Sequence, residues 1–274
     1  MQKFTLESQF QISGIGSASG LVYKDDSLFI ISDNSSFLYE YHIREKELDK
    51  IKLFENSQEN TPKKDKYDFE SITQKGSKFY LFGSGSTSKR NKRITYNLEN
   101  KEVKENDLSE IYKKLKKVAS ISDEDLNIEG ALFYNENWHL FQRGNGAQSK
   151  NGIFKINCHT EPVEVQFVSI SLPTIQNIEA TFTDAILVGD KIYFLATAED
   201  TISTYHDGEI LGSIIGRMDS KTMKIDFTKK ISDSHKFEGL TLYHKTEDKI
   251  EFLLCEDNDT EVLETNIYKL VLKN

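Results

Sequence analysis

An all-β fold built as a ring of like units is what the sequence predicts, and three observations carry that expectation. Short openings of small or acidic residues recur ahead of apolar strands: Ser19-Gly20-Leu21, Glu70-Ser71-Ile72, Glu129-Gly130-Ala131, Glu179-Ala180-Thr181 and Glu238-Gly239-Leu240. Their spacings are 51, 59, 50 and 59 residues. The segments between them alternate with period two or run apolar and β-rich, whereas helical repeats of similar length would show a 3.6-residue period. A period near about 50 residues with several strands per unit is the signature of a β-propeller. At 274 residues the chain can bury a substantial core, and residues 1–274 read as a single propeller domain.

Each unit reads as four strands. In the first they fall at residues 21–23, 28–32, 38–43 and 50–54, and in the third at 130–134, 138–142, 152–157 and 163–170. The fifth unit has only three, the last at 266–272. Residues 4–12 precede the first repeat and are themselves strand-like. They are expected to supply the missing outer strand, which closes the ring and removes an exposed edge. Five blades follow, with six as the alternative count because the fourth unit contains a long stretch at 197–212. Asp107-Leu108-Ser109-Glu110 has the form of a capping box ahead of Ile111, Leu115 and Val118. It predicts a helix between the second and third blades, with the lysines of 113–117 on its solvated face. A lid over the channel is the sharper alternative for that helix.

Composition narrows the partners. The net charge is -9, and the lysines of 113–117 are the one long basic stretch. Nucleic acid and anionic membranes are therefore excluded as expected partners, since phosphates are bound by clustered Lys and Arg. A small molecule or a metal ion, bound by a monomer, suits the charge better. Residues 1–10 contain no apolar leader core, and no segment is long enough to span a bilayer. Cys158 and Cys255 form no CxxC pair and read as ordinary reduced residues in or beside strands. The expectation is a cytoplasmic protein, or a secreted one whose leader has been removed.

Propeller geometry brings two sets of polar residues together. The residues opening the innermost strand of a blade share a face with those closing its second strand. The openings are Ser19, Glu70, Glu129, Glu179 and Glu238. The closings are Asp33-Asn34-Ser35, Ser84-Gly85-Ser86, Arg143-Gly144-Asn145, Glu199-Asp200 and Glu256-Asp257-Asn258-Asp259. A ring of carboxylates beneath a polar collar is expected. Crowded carboxylates raise one another's pKa, so protons or a cation must enter. Their oxygens suit Ca²⁺ or Mg²⁺, which could polarise an ester or phosphoryl oxygen. Glu129, Glu179 and Glu238 are the candidate metal ligands. Glu70 is a further ligand or general base, and Arg143 is a clamp for a substrate anion. Asp33, Asn34, Ser84, Asn145, Glu199 and Asp257 complete a ligand-binding collar. The alternative is structural: a Glu repeated at strand entry can accept backbone N–H bonds from the next blade and staple the ring, and turn chemistry alone explains Asn34, Gly85, Gly144 and Asn258.

Other motifs carry little. His42, His139, His159, His206, His235 and His244 show no zinc-ligand spacing. Gly83–Ser86 lacks the Lys and helix of a phosphate loop, and no GxSxG elbow occurs. Ser19-Gly20-Leu21, Asp33-Asn34, Asn127-Ile128-Glu129-Gly130, Gln142-Arg143-Gly144-Asn145 and Phe237-Glu238-Gly239-Leu240 resemble motifs of the phytase-like, or esterase-like, propellers and the related SdiA-regulated family. The likeness spans most of the chain as short motifs, with Ser19 departing from the Glu of the other blades. It implies a propeller and a Ca²⁺-dependent hydrolase site. The leading expectation is a metal-dependent hydrolase of a small ester, lactone or phosphoester. The alternatives are a non-catalytic propeller binding a small ligand or protein, and a purely structural one.

Overall fold

Five four-stranded antiparallel sheets follow one another along the chain. They are seen in a computed structural model that describes residues 3–204, 208–257 and 262–273. The first blade comprises Ala18–Lys24, Ser27–Ser32, Phe37–His42 and Glu47–Lys52. The second comprises Phe69–Lys75, Lys78–Gly83, Lys92–Asn97 and Val103–Asp107. The third comprises Ile128–Tyr134, Asn137–Gln142, Gly152–Asn157 and Glu164–Ser169, and the fourth Thr181–Val188, Lys191–Asp200, Glu209–Asp219 and Ile225–Ser232. The fifth contains Phe237–Lys245, Lys249–Glu256 and Glu264–Lys273, and its outer strand is the N-terminal Phe4–Ser13. Phe4 lies opposite Leu272 and Ser13 opposite Glu264, so the expected closure is the observed one. The blade count is five. Within the stretch at 197–212, residues 197–200 and 209–212 lie in the paired second and third strands of the fourth blade.

The first strand of each blade packs against its counterparts in both neighbouring blades, so these strands line the axis. They open with buried residues, while outer strands such as Glu47–Lys52 are largely exposed. Apolar side chains gather in five clusters, one at each interface between adjacent blades. Phe29 and Ile31 of the first blade meet Phe79 and Leu81 of the second; Leu28 and Tyr39 meet Leu253 and Ile267 of the fifth. Each such side chain contributes about 1.5–3 kcal/mol on burial. Stability therefore lies between the blades and leaves the axis free for polar groups.

The helix is Ser109–Ala119. Asp107 Oδ1 accepts the Ser109 N–H at 2.8 Å and its hydroxyl at 2.6 Å, a one-sided cap where a reciprocal box was expected. Tyr112, Leu115 and Ala119 pack beside Phe82, Leu126 and Trp138, and the Tyr112 hydroxyl donates to the Gly83 carbonyl at 2.8 Å. Val118, expected on the apolar face, is 45% exposed. The helix fills the gap between blades two and three and contributes no side chain to the channel, so it is not a lid. Among the described residues no helix is long and apolar enough to cross a membrane. Cys158 is exposed, Cys255 is buried, and both are free thiols.

Candidate functional site: the channel mouth

A β-bulge opens the first strand of every blade. The strand pairing skips one residue between Ala18 and Gly20, Phe69 and Ser71, Ile128 and Gly130, Phe182 and Asp184, and Phe237 and Gly239. The skipped residues are Ser19, Glu70, Glu129, Thr183 and Glu238. Bulges bend a strand and re-aim a side chain, and here they release Glu70, Glu129 and Glu238 to the channel. The residue after the bulge approaches the next blade. A Cβ on Gly239 would lie 2.5 Å from Leu21 Cδ2, and one on Gly20 would lie 3.2 Å from Ile72 Cγ2.

The two bulge residues that are not glutamate tie blades together. Ser19 Oγ donates to the Phe69 carbonyl at 2.6 Å, and Thr183 Oγ1 donates to the Phe237 carbonyl at 2.6 Å. Asp184 adds a third tie, accepting Ala185 N–H at 2.7 Å and Leu240 N–H, from blade five, at 2.7 Å. The stapling function considered for the glutamates is thus carried by Ser19, Thr183 and Asp184.

Glu179 requires correction. It lies in a short hairpin, Thr174–Ile175 with Ile178–Glu179, before blade four begins. It is exposed and accepts the Leu172 N–H at 2.9 Å. The channel position of blade four belongs to Thr183, and the repeat spacing becomes 51, 59, 54 and 55 residues. Glu179 is therefore not positioned to hold a channel metal.

The cavity at the mouth has a volume of about 70 Å³. Among the described residues seven carboxylates line it: Asp33, Asp68, Glu70, Glu129, Glu199, Glu238 and Asp257. So do five cations, Lys63, Lys66, Arg90, Arg143 and Lys236. Two ion-pair networks result. On one side Lys66 bonds Asp33 and, at 2.9 Å, Asp68, while Arg90 reaches Asp68 at 2.7 Å. On the other, Arg143 pairs with Glu199, with Glu129 at 3.3 Å and with Glu238 at 3.6 Å. Lys236 joins Glu238 and Asp257, each at 3.0 Å. Arg143 is thus closed on the protein's own carboxylates, and its expected role as an anion clamp does not fit this geometry.

Burial and neighbours divide these acids. Burial raises Glu70 well above the usual carboxylate range, and Asp68, Glu129, Glu238 and Asp33 push the same way. Glu70 makes no hydrogen bond or ion pair among the described residues. Asp68 feels burial too, but Lys66 and Arg90 outweigh it and hold Asp68 below its ordinary value. Burial also raises Glu238 and Glu129 despite Lys236 and Arg143, and brings Asp33 to about 6 against Lys66. Glu129 Oε2 and Asp33 Oδ1 are buried without hydrogen-bond partners among the described residues.

Eight of the eleven expected site residues line the cavity: Asp33, Glu70, Glu129, Arg143, Asn145, Glu199, Glu238 and Asp257. Ser84 stands behind it, bonded through Oγ to Asp68. Asn34 is occupied in its own turn, accepting Ser32 Oγ at 2.8 Å and, through its carbonyl, Thr61 N–H at 2.8 Å. Asn258, Asp259 and His206 lie outside the described residues. Sequence reasoning missed Lys66, Asp68, Arg90, Asn127 and Lys236. A signal for three of them was present: the residue two before the bulge is polar in every blade, as Ser17, Asp68, Asn127, Thr181 and Lys236. Asn127 shows its use, donating to Glu129 Oε1 at 2.7 Å.

Fold and site together define a five-bladed β-propeller with a dense cluster of buried charge at one channel mouth. The chain belongs to a family of unknown function, DUF6929, whose model matches residues 14–272. No curated protein matches the sequence. Among solved structures it is similar to the glutaminyl cyclase of Myxococcus xanthus, with a TM-score of 0.57 at 9% identity, covering 98% of this chain and 96% of that one. The Malassezia sympodialis allergen Mala s 1 gives 0.57 at 9%, covering 95% of each chain. The Bacillus subtilis arabinanase Arb43A gives 0.50 at 12%, covering 97% and 96%. At such identities these likenesses show the propeller fold alone.

Proposed function

We propose that the channel mouth is an acid–base site for hydrolysis of a small polar substrate, with Glu70 as proton donor and Asp68 as its ionised partner. One observation carries this reading. Two carboxyls two residues apart can bring oxygens within 4.8 Å of each other, yet their surroundings push them in opposite directions. Titratable pairs driven apart in this way divide the acid and base roles. Asp68 is also held at φ +56, a conformation that costs a non-glycine residue about 1–3 kcal/mol. A neutral Glu70 would protonate the leaving oxygen, while Asp68 would orient and deprotonate the attacking water. Lys66, Arg90, Arg143 and Lys236 at the mouth are already paired with the protein's own carboxylates and are not left to hold a phosphoester dianion, so a neutral ester or lactone fits better. The small volume admits the reacting end of such a molecule. The motif likeness to phytase-like and SdiA-regulated propellers agrees with a hydrolytic role.

Turnover of a panel of small esters and lactones tests the reading. Glu70→Gln and Asp68→Asn should each lower the rate on a responding substrate about 100-fold or more, the usual worth of acid–base catalysis. A full rate in Glu70→Gln would contradict it.

A second reading places Ca²⁺ or Mg²⁺ at Asp33, Asp68 and Glu70. The unpartnered Asp33 Oδ1 favours it, and the oxygen donor set suits a hard ion. Lys66 already supplies a positive charge between Asp33 and Asp68, so an ion would have to displace it. Millimolar Ca²⁺ should then raise Tm, and more so in Lys66→Gln. No shift in either protein would remove the metal from the site.

A further inference from the structure

The turn of blade three, at Tyr134 and Asn135, lies at the opposite end of its strands from Glu129 and Arg143. A second cavity opens there, against the turn at Ser220–Met223 of blade four. Its volume is about 260 Å³. His139 and Ser220 both line it, both are 2% exposed, and both present an unsatisfied atom, Nδ1 and Oγ respectively. A buried donor or acceptor without a partner costs about 1–3 kcal/mol, so two beside one cavity point to a bound polar group.

The rest of the lining specifies that group. Among the described residues Lys155 and Lys221 stand at the cavity and make no ion pair, and no acidic residue lines this cavity, although Lys155 also borders a neighbouring pocket with Glu164. Ile153, Val168 and Met223 supply an apolar wall. We infer that this cavity binds a small carboxylate with a short apolar tail. Ser220 Oγ and His139 Nδ1 hydrogen-bond the carboxylate, and Lys155 and Lys221 balance its charge. Burial, reinforced by Lys155 and opposed by the Asn137 backbone, lowers His139 to about 4. The imidazole is therefore neutral near pH 7 and offers its one proton to the ligand.

Hexanoate is the probe, with hexanol and hexylamine as controls, and calorimetry is the readout. Hexanoate should bind saturably in the millimolar range or tighter, at least tenfold better than either control. Its affinity should be level between pH 6 and 8, because the buried ring does not titrate there. Lys221→Ala, at an exposed turn, and Ser220→Ala should each weaken it at least threefold. Glu70→Gln, on the other face, should leave it unchanged, which separates this site from the channel. Equal binding of hexanoate and hexanol, no loss in either variant, or no hexanoate binding at 10-fold above that range would overturn the assignment.

Discussion

The Leu240 N–H of blade five donates to Asp184 Oδ2 of blade four at 2.7 Å. The other oxygen of the same carboxyl accepts Ala185 N–H at 2.7 Å. One side chain therefore satisfies two buried backbone donors across a blade interface. Asp184→Ala orphans both, and each buried unsatisfied N–H costs about 1–3 kcal/mol. The urea midpoint should fall accordingly, and an unchanged midpoint would show that water replaces the carboxyl without loss.

Closure of the ring rests on Phe4–Ser13 paired along Glu264–Lys273. Deleting residues 1–12 removes this strand, including the buried Ile12 and the half-buried Phe4, Leu6 and Phe10. It also exposes a sheet edge. The loss should reach about 3–5 kcal/mol from apolar burial alone. A truncated protein with the parent Tm would contradict the closure.

Glu179→Gln should do little. The side chain is exposed and makes one hydrogen bond to a backbone N–H, which the amide oxygen can still accept. Chemical denaturation should show a change of at most about 1 kcal/mol, and turnover at the channel should be unaltered. A large loss of either would return Glu179 to the site.

Stability should fall as pH rises past the ordinary carboxylate range, most plainly above about 6.5, where His139 no longer opposes the fall. Glu70, Glu238 and Asp184 are all held well above the carboxylate range by burial. Above the ordinary carboxylate range the unfolded chain has released these protons, while the folded groups, raised by burial, release theirs later. The unfolded state then binds fewer protons, and the free energy of unfolding drops as pH rises. His139 acts with the opposite sign, but only between about 4 and its unfolded value of about 6.5. Glu70→Gln should flatten the decline measured by Tm. A stability that rises with pH above about 6.5 would mean that the acids are ionised and compensated.

Blade count and closure were legible because hydrophobic period and repeat spacing record backbone pairing directly. The face shared by Glu70, Glu129, Glu238 and Arg143 was legible for the same reason. Glu179 misled because Glu179-Ala180-Thr181 copies the form of an opening, whereas the pairing skips a residue four positions later, at Thr183. Only strand register distinguishes the two. The cations were hidden differently. Arg90 arrives from a 3-10 turn, Ser88–Arg90, between strands of blade two, and Lys66 from the connection before it, so neither belongs to a repeat position. An acidic ring inferred from repeats alone therefore lacked the charges that balance it.

Protonation of Glu70 beside an ionised Asp68 can be read spectroscopically. The infrared difference between the parent protein and Glu70→Gln at pH 7 reports which form of the carboxyl the substitution removes. Loss of one un-ionised carboxylic acid band, with the carboxylate bands unchanged, is the predicted result, and Asp68→Asn should instead remove a carboxylate band. If Glu70→Gln removes a carboxylate band, Glu70 is charged at neutral pH and cannot be the proton donor of the channel.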